Sequence, residues 1–215
     1  MNSVQILKVK SSKFKSQNLA FKLCYFTFLV MLCGCAGIDD LSSLLYRNSR
    51  LEKGLLDNER VGLMPMFGKG ENRAYLKNAE DIFGQSLSDE KKGVTFLSPE
   101  ESLERIRSAG LIETYREMAR SYSPLASQKL SDIQVIGGAL GTRYILQSEL
   151  QLSGVIEGAT HVRIYARLWD LEKGVILWEG VGEARGYVFL IFPIVPSDFE
   201  RAMEVASRGL ARKFP

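Results

Sequence analysis

Residues that could do chemistry are few in this chain of 215 residues. His161 is the only histidine, and no cysteine follows Cys35, so a usual zinc site cannot be completed around it. The carboxylate pairs Asp39/Asp40, Glu100/Glu101 and Asp198/Glu200 are the acid candidates. Two of the pairs fall at helix starts, where an acid stabilises the N-terminus by ~0.3–1 kcal/mol without any catalytic duty. Gly137-Gly138-Ala139-Leu140-Gly141 ends a helical pattern and precedes a strand. That is the reverse of the strand-to-helix order that aims backbone N–H groups at phosphate. Gly68-Lys69-Gly70 follows a strand but lacks the full P-loop pattern, and no serine stands in a Gly-x-Ser-x-Gly elbow. The expectation is a protein with no catalytic residue, no metal and no cofactor, and not an enzyme.

Cys35 is the exception. It closes Leu32-Cys33-Gly34-Cys35, at the end of the uncharged run of 12 residues Leu23–Gly34. Upstream lie Lys8, Lys10, Lys13, Lys15 and Lys22, and no acid occurs before Asp39. A basic segment, an apolar segment of secretory length and a small residue at the cut make a signal peptide over residues 1–34. Twelve helical residues span roughly 18 Å, short of the ~30 Å hydrocarbon core, so a permanent transmembrane helix is not expected. Leu at −3, Gly at −1 and Cys at +1 resemble a bacterial lipobox, with cleavage between Gly34 and Cys35 and diacylglyceryl transfer to the Cys35 thiol. One acyl chain holds weakly, at ~0.8 kcal/mol per buried methylene, and two or three hold firmly.

Removal of residues 1–34 leaves 23 basic against 25 acidic residues. No surplus charge then argues for nucleic acid, and none is expected as partner. The mature chain keeps Cys35 alone, hence no disulfide. Residues 35–58 read as the lipidated cysteine and a tether, with Leu41, Leu44, Leu45, Leu51, Leu55 and Leu56 among polar residues. Part of it suits an amphipathic helix resting on headgroups, or else the segment folds onto its own domain.

Residues 59–215 form one periplasmic domain. Arg60–Met66 is a first strand, Leu76–Leu87 has helical spacing, and Val94–Leu97 is a second strand. Ser98-Pro99-Glu100-Glu101 opens a helix as a capping box with proline at N1, and Gly110 stops it. Two more helical segments follow, the second ending at Gly141. The period then becomes two, through Tyr144–Leu152, Val162–Trp169 and Val175–Gly180, an antiparallel meander with one face for the core and one for water. Ser197-Asp198-Phe199-Glu200 reads as a second capping box before a terminal helix. The fold class is α/β: a mixed sheet, βαβ then a three-strand meander, with helices packed on it.

The Val-x-Leu-x-Pro first strand, the Ser-Pro-Glu-Glu cap, Leu140-Gly141-Thr142-Arg143-Tyr144-Ile145-Leu146 and Leu168-Trp169-Asp170-Leu171-Glu172-Lys173-Gly174-Val175-Ile176-Leu177-Trp178 resemble the CsgG/LpoB/TolB-N-terminal group of envelope domains. Arg143 replaces a usual acidic residue and Lys173 a usual Thr. The resemblance implies an adaptor, activator or assembly factor that binds an envelope protein or itself. The alternative it implies is an oligomeric secretion channel like CsgG. Ala36 after Cys35 points to the periplasmic face of the outer membrane, with the acyl chains as the membrane contact.

Two surfaces are candidates for the partner. Arg163, Tyr165, Arg167 and Trp169 alternate on one strand face, either as a ligand-binding set or as a solvated face where Glu149 and Glu179 pair with the arginines. Tyr187–Pro196, with Phe189, Ile191 and Phe192, is an apolar loop open to its own core, to a protein or to lipid.

Overall fold

The two-residue alternation after Gly141 carries three long strands that organise everything else. In this computed structural model, which describes residues 36–52, 54–121, 130–189 and 194–215, nine strands make one sheet. They are β1 (Ala36–Asp40), β2 (Ser43–Arg47), β3 (Arg60–Leu63), β4 (Phe67–Gly68), β5 (Thr95–Leu97), β6 (Tyr144–Ile156), β7 (Ala159–Asp170), β8 (Val175–Phe189) and β9 (Ile194–Pro196). Five α-helices pack on it: α1 (Leu76–Glu90), α2 (Pro99–Ser108), α3 (Ile112–Ser121), α4 (Leu130–Leu140) and α5 (Phe199–Lys213). The sheet order is β1-β8-β7-β6-β3-β5, with β2 and β9 also on β8 and β4 on β6. β3 runs parallel to β5 and β6, and β6, β7 and β8 form the antiparallel meander. The expected α/β architecture with a mixed sheet is the one observed.

β3 has β5 on one side and β6 on the other, so the two crossovers travel in opposite directions. Crossovers of the same hand must then lie on opposite faces of the sheet. Accordingly α1 and α5 cover one face, with Phe83, Leu87, Met203 and Leu210 in a core against Leu146, Ile164 and Leu177. The helices α2, α3 and α4 cover the other, where Ile106, Met118, Ile133 and Ile136 meet Ile145, Tyr165 and Val181. A meander with one wet face is therefore corrected: Gln147 and Glu149, expected toward water, are buried.

The local signals act where the residues place them. Ser98 Oγ accepts from the Glu101 N–H at 3.1 Å with Pro99 beside it at the first turn. Gly141 takes φ +66 at the end of α4. Asp198, one residue later than expected, is the cap of α5 and accepts from the Glu200 N–H. Pro65 interrupts the first strand, and the chain rejoins β6 as β4.

The segment expected as a tether, either in part helical on headgroups or folded onto its own domain, lies along the sheet as β1 and β2. Both pair antiparallel with β8, and Leu51 and Leu56 enter the core. The physical reason is the free edge of β8, whose backbone groups would otherwise have no strand partner. Gly209 of α5 gives the β1–β2 corner room: a Cβ there would stand 2.3 Å from Asp40 Oδ1 and Ser42 Oγ. The signal peptide, Gly34 and Cys35 lie outside the described residues.

Arg143 ties the start of β6 to the β7–β8 turn. Its Nε and Nη2 donate to the two oxygens of Asp170 at 3.2 and 2.8 Å, and its Nη1 lies 3.0 Å from Glu172. Asp170 is fully buried and also accepts from the Lys173 N–H at 3.2 Å. Burial pushes its carboxyl up, but the Arg143 and Lys173 hydrogen bonds outweigh that and hold it below its ordinary value. A depressed carboxylate stabilises the fold above its unfolded pKa of ~3.9, and that stability is lost as pH falls through the lower folded value. We expect Asp170→Asn to cost about 2–4 kcal/mol at pH 7 and to flatten the acid limb of stability, as read by urea denaturation between pH 2 and 7.

Candidate interaction surfaces

The Arg163–Trp169 set stands on β7 facing α3 and α4, and three of its four members are inside the protein. Tyr165, Arg167 and Trp169 are buried; only Arg163 stays exposed, 3.7 Å from Glu183. Arg167 Nε donates to Glu179 at 2.6 Å and to the Tyr165 hydroxyl at 3.1 Å, and its guanidinium lies over both the Tyr165 and Trp169 rings. Tyr165 also donates to Glu179. Burial, with that hydrogen bond, pushes the Tyr165 phenol well above its ordinary range. Trp169 Nε1 donates to Gln147 at 2.7 Å, whose amide reaches Met118 of α3 at 3.6 Å. The set expected as a partner surface, or as a solvated face, is thus an internal network. The pairing of Arg167 with Glu179 occurs under cover of the helices.

The apolar segment 187–196 is not a loop at either end. Tyr187, Val188 and Phe189 pair with Pro196, Val195 and Ile194 as the arms of a hairpin. Tyr187 packs its ring where a Cβ on Gly37 would be 3.5 Å away. Thr160 donates to the Ser197 carbonyl and the Ser197 N–H to Gly186 at 3.2 Å, fastening β9 to β7 and β8. The side chain of Phe189, and Ile191 and Phe192 altogether, lie outside the described residues.

The surface missed by sequence reasoning is β2. Leu44, Leu45 and Tyr46 are 42–55 % exposed on a strand whose only strand partner among the described residues is β8, and Leu41, in the β1–β2 corner, is also exposed. Its signal was present in Leu44-Leu45-Tyr46, but leucine spacing in so short a segment does not separate strand from helix. Beside α1, a small cleft lined by Leu63, Met66, Glu80, Phe83 and Ser148 has Glu80 as its one charged group. Burial pushes that carboxyl up, although it accepts from the Met66 N–H at 2.6 Å. Among the described residues no group of three or more His, Cys, Asp or Glu could hold a metal ion, and no helix is long and apolar enough to cross a membrane.

No protein-family model matches the chain, and no curated protein matches it. Solved structures similar to it include the PelC L103M dodecamer from Paraburkholderia phytofirmans, with 14% identity over 81% of this chain and 100% of that one, TM-score 0.44. The LpoB C-terminal domain from Salmonella enterica has 17% identity over 61% and 85%, TM-score 0.43. Lipoprotein GNA1162 from Neisseria meningitidis has 17% identity over 60% and 83%, TM-score 0.41. LpoB, a member of the group that the sequence resembles, thus stands among the similar structures.

The burial of Arg167 and the exposure of Arg163 separate their energetic roles. We expect Arg167→Ala to cost about 2–4 kcal/mol, because it leaves the half-buried Glu179 and the Tyr165 hydroxyl without their buried cation. Arg163→Ala stays within about 0.5 kcal/mol by the same chemical denaturation.

Proposed function

We propose that this protein is anchored in the bacterial envelope by acyl chains on Cys35 and acts by binding another protein rather than by catalysis. The observation that supports this reading is the β2 edge. An edge strand is a template for a further strand, and soluble proteins usually blunt it with charge, proline or a covering element. Here Leu44, Leu45 and Tyr46 of β2 remain open to solvent on the outer edge of the sheet, with Leu41 exposed in the corner before them. Strand addition there would give main-chain hydrogen bonds, with the leucines selecting the incoming side chains. The occupant we infer is an extended segment of an envelope partner. The anchor keeps this edge within reach of it, at the periplasmic face of the outer membrane as Ala36 implies.

The partner is read by a photo-crosslinking amino acid at Leu45 in cells. We expect an adduct with one other protein, lost on Leu44→Asp. An adduct of twice the protein's own mass replaces that partner by a second copy, and no adduct removes β2 from the proposal. The anchor is read by intact mass: acyl groups on the wild-type protein, absent from Cys35→Ser, which then leaves the membrane fraction.

A further inference from the structure

We propose that the end of the sheet bearing the β6–β7 turn is a lipid-contact surface that seats the domain directly on the bilayer interface. This rests on acylation of Cys35, and the register of the strands carries the rest. Ala36 pairs with Val188 of β8, so the anchoring residue lies within one Cα–Cα step, ~3.8 Å, of that level. With β1 already on the sheet, there is no length of free chain to hold the domain away from the acyl groups.

The same end of the sheet is apolar. Thr160 pairs with Gly186 on one side and Val155 on the other, and Ala159 pairs with Ile156. Val155 is therefore two residues, ~7 Å, along the strands from the level of Ala36, and three strand spacings, ~14 Å, across the sheet from it. Val155 is 60 % exposed and Ile156 42 %. They are adjacent on the strand and so point to opposite faces, which means that the hairpin projects beyond both helix layers. Burial along β6 falls steadily toward this tip. Glu157 and Gly158, both at positive φ, close it as a two-residue turn. Val195, opposite Val188, adds a third exposed apolar side chain at the level of Ala36.

The charge beside the tip is balanced, since Glu157 lies 3.8 Å from Arg185. An anchor fixed at this level brings Val155, Ile156 and Val195 to the acyl boundary, where transfer of apolar side chains out of water is favourable. The β2 edge, farther along β8 from Val188, then faces the aqueous side and stays open to a protein.

Cys35 is the only cysteine outside residues 1–34, so Val155→Cys in the acylated protein offers a single free thiol for a polarity-sensitive fluorophore. The protein is placed in phosphatidylethanolamine–phosphatidylglycerol vesicles, with and without brominated acyl chains. Thr95→Cys, exposed on β5 at the opposite end of the sheet, is the comparison. We expect a blue-shifted label at 155 quenched at least twofold by brominated lipid, and an unquenched label at 95. A wet label at 155 in acylated protein overturns the inference and leaves the anchor standing. A blue-shifted label untouched by brominated lipid also overturns it, placing protein on the tip. Protein without acyl mass on Cys35 overturns the anchor itself, and the inference with it.

Discussion

The close approach of α5 to β8 is the constraint on which the rest of the structure depends. On the face toward α5, β8 presents Trp178, Gly180, Gly182, Ala184 and Gly186. A Cβ on Gly182 would stand 2.4 Å from the Ala206 carbonyl, and one on Gly180 would meet the Trp178 ring at 2.5 Å. Nothing larger fits where a helix backbone lies against a strand backbone and a tryptophan ring lies along the strand. Trp178 donates from Nε1 to the Lys213 carbonyl at 2.9 Å and meets Phe214 edge-on, which secures the end of α5. Because α5 sits so low, its Gly209 can accept the β1–β2 corner, and the N-terminal segment closes over the same helix.

The opposite face adds a polar network to its apolar core. Gln147, Tyr165, Arg167, Trp169 and Glu179 satisfy one another beneath α3 and α4. A buried ion pair of this kind adds little net stability over apolar packing, and its cost if one partner is lost is large. Its effect is on geometry: the guanidinium between two rings and one carboxylate fits one register of β7 on β8. Arg143 and Asp170 do the same for the β7–β8 turn and the start of β6.

Both faces of the sheet are thus occupied, which leaves its edges and ends for partners. β2 supplies an apolar edge, and the tip of the β6–β7 hairpin an apolar end. The two are separated along β8, because β1 and β2 pair with successive stretches of it, from Val188 down to Trp178. One strand therefore spaces the anchor from the surface proposed for a protein.

Much of the architecture could be read from residues. The Ser98-Pro99 start, the glycine at 141, the alternation of β6 to β8 and the amphipathic spacing of α1 and α5 are local signals with local causes, and each appears where the residues put it. The candidate surfaces were less legible. Alternation shows that Arg163, Tyr165, Arg167 and Trp169 share a face, but not whether helices will cover it, since that depends on crossovers passing on both sides of β3. Residues 36–47 likewise gave no decisive period, because five-residue strands are too short for one. The amino-acid sequence alone determined the helices, the five strands β3, β5, β6, β7 and β8, their order and the cysteine that could carry lipid, because these follow from side-chain type and short spacing. The tertiary structure decided that both faces are covered and which edge is free, because burial is set by what the distant parts of the chain leave uncovered.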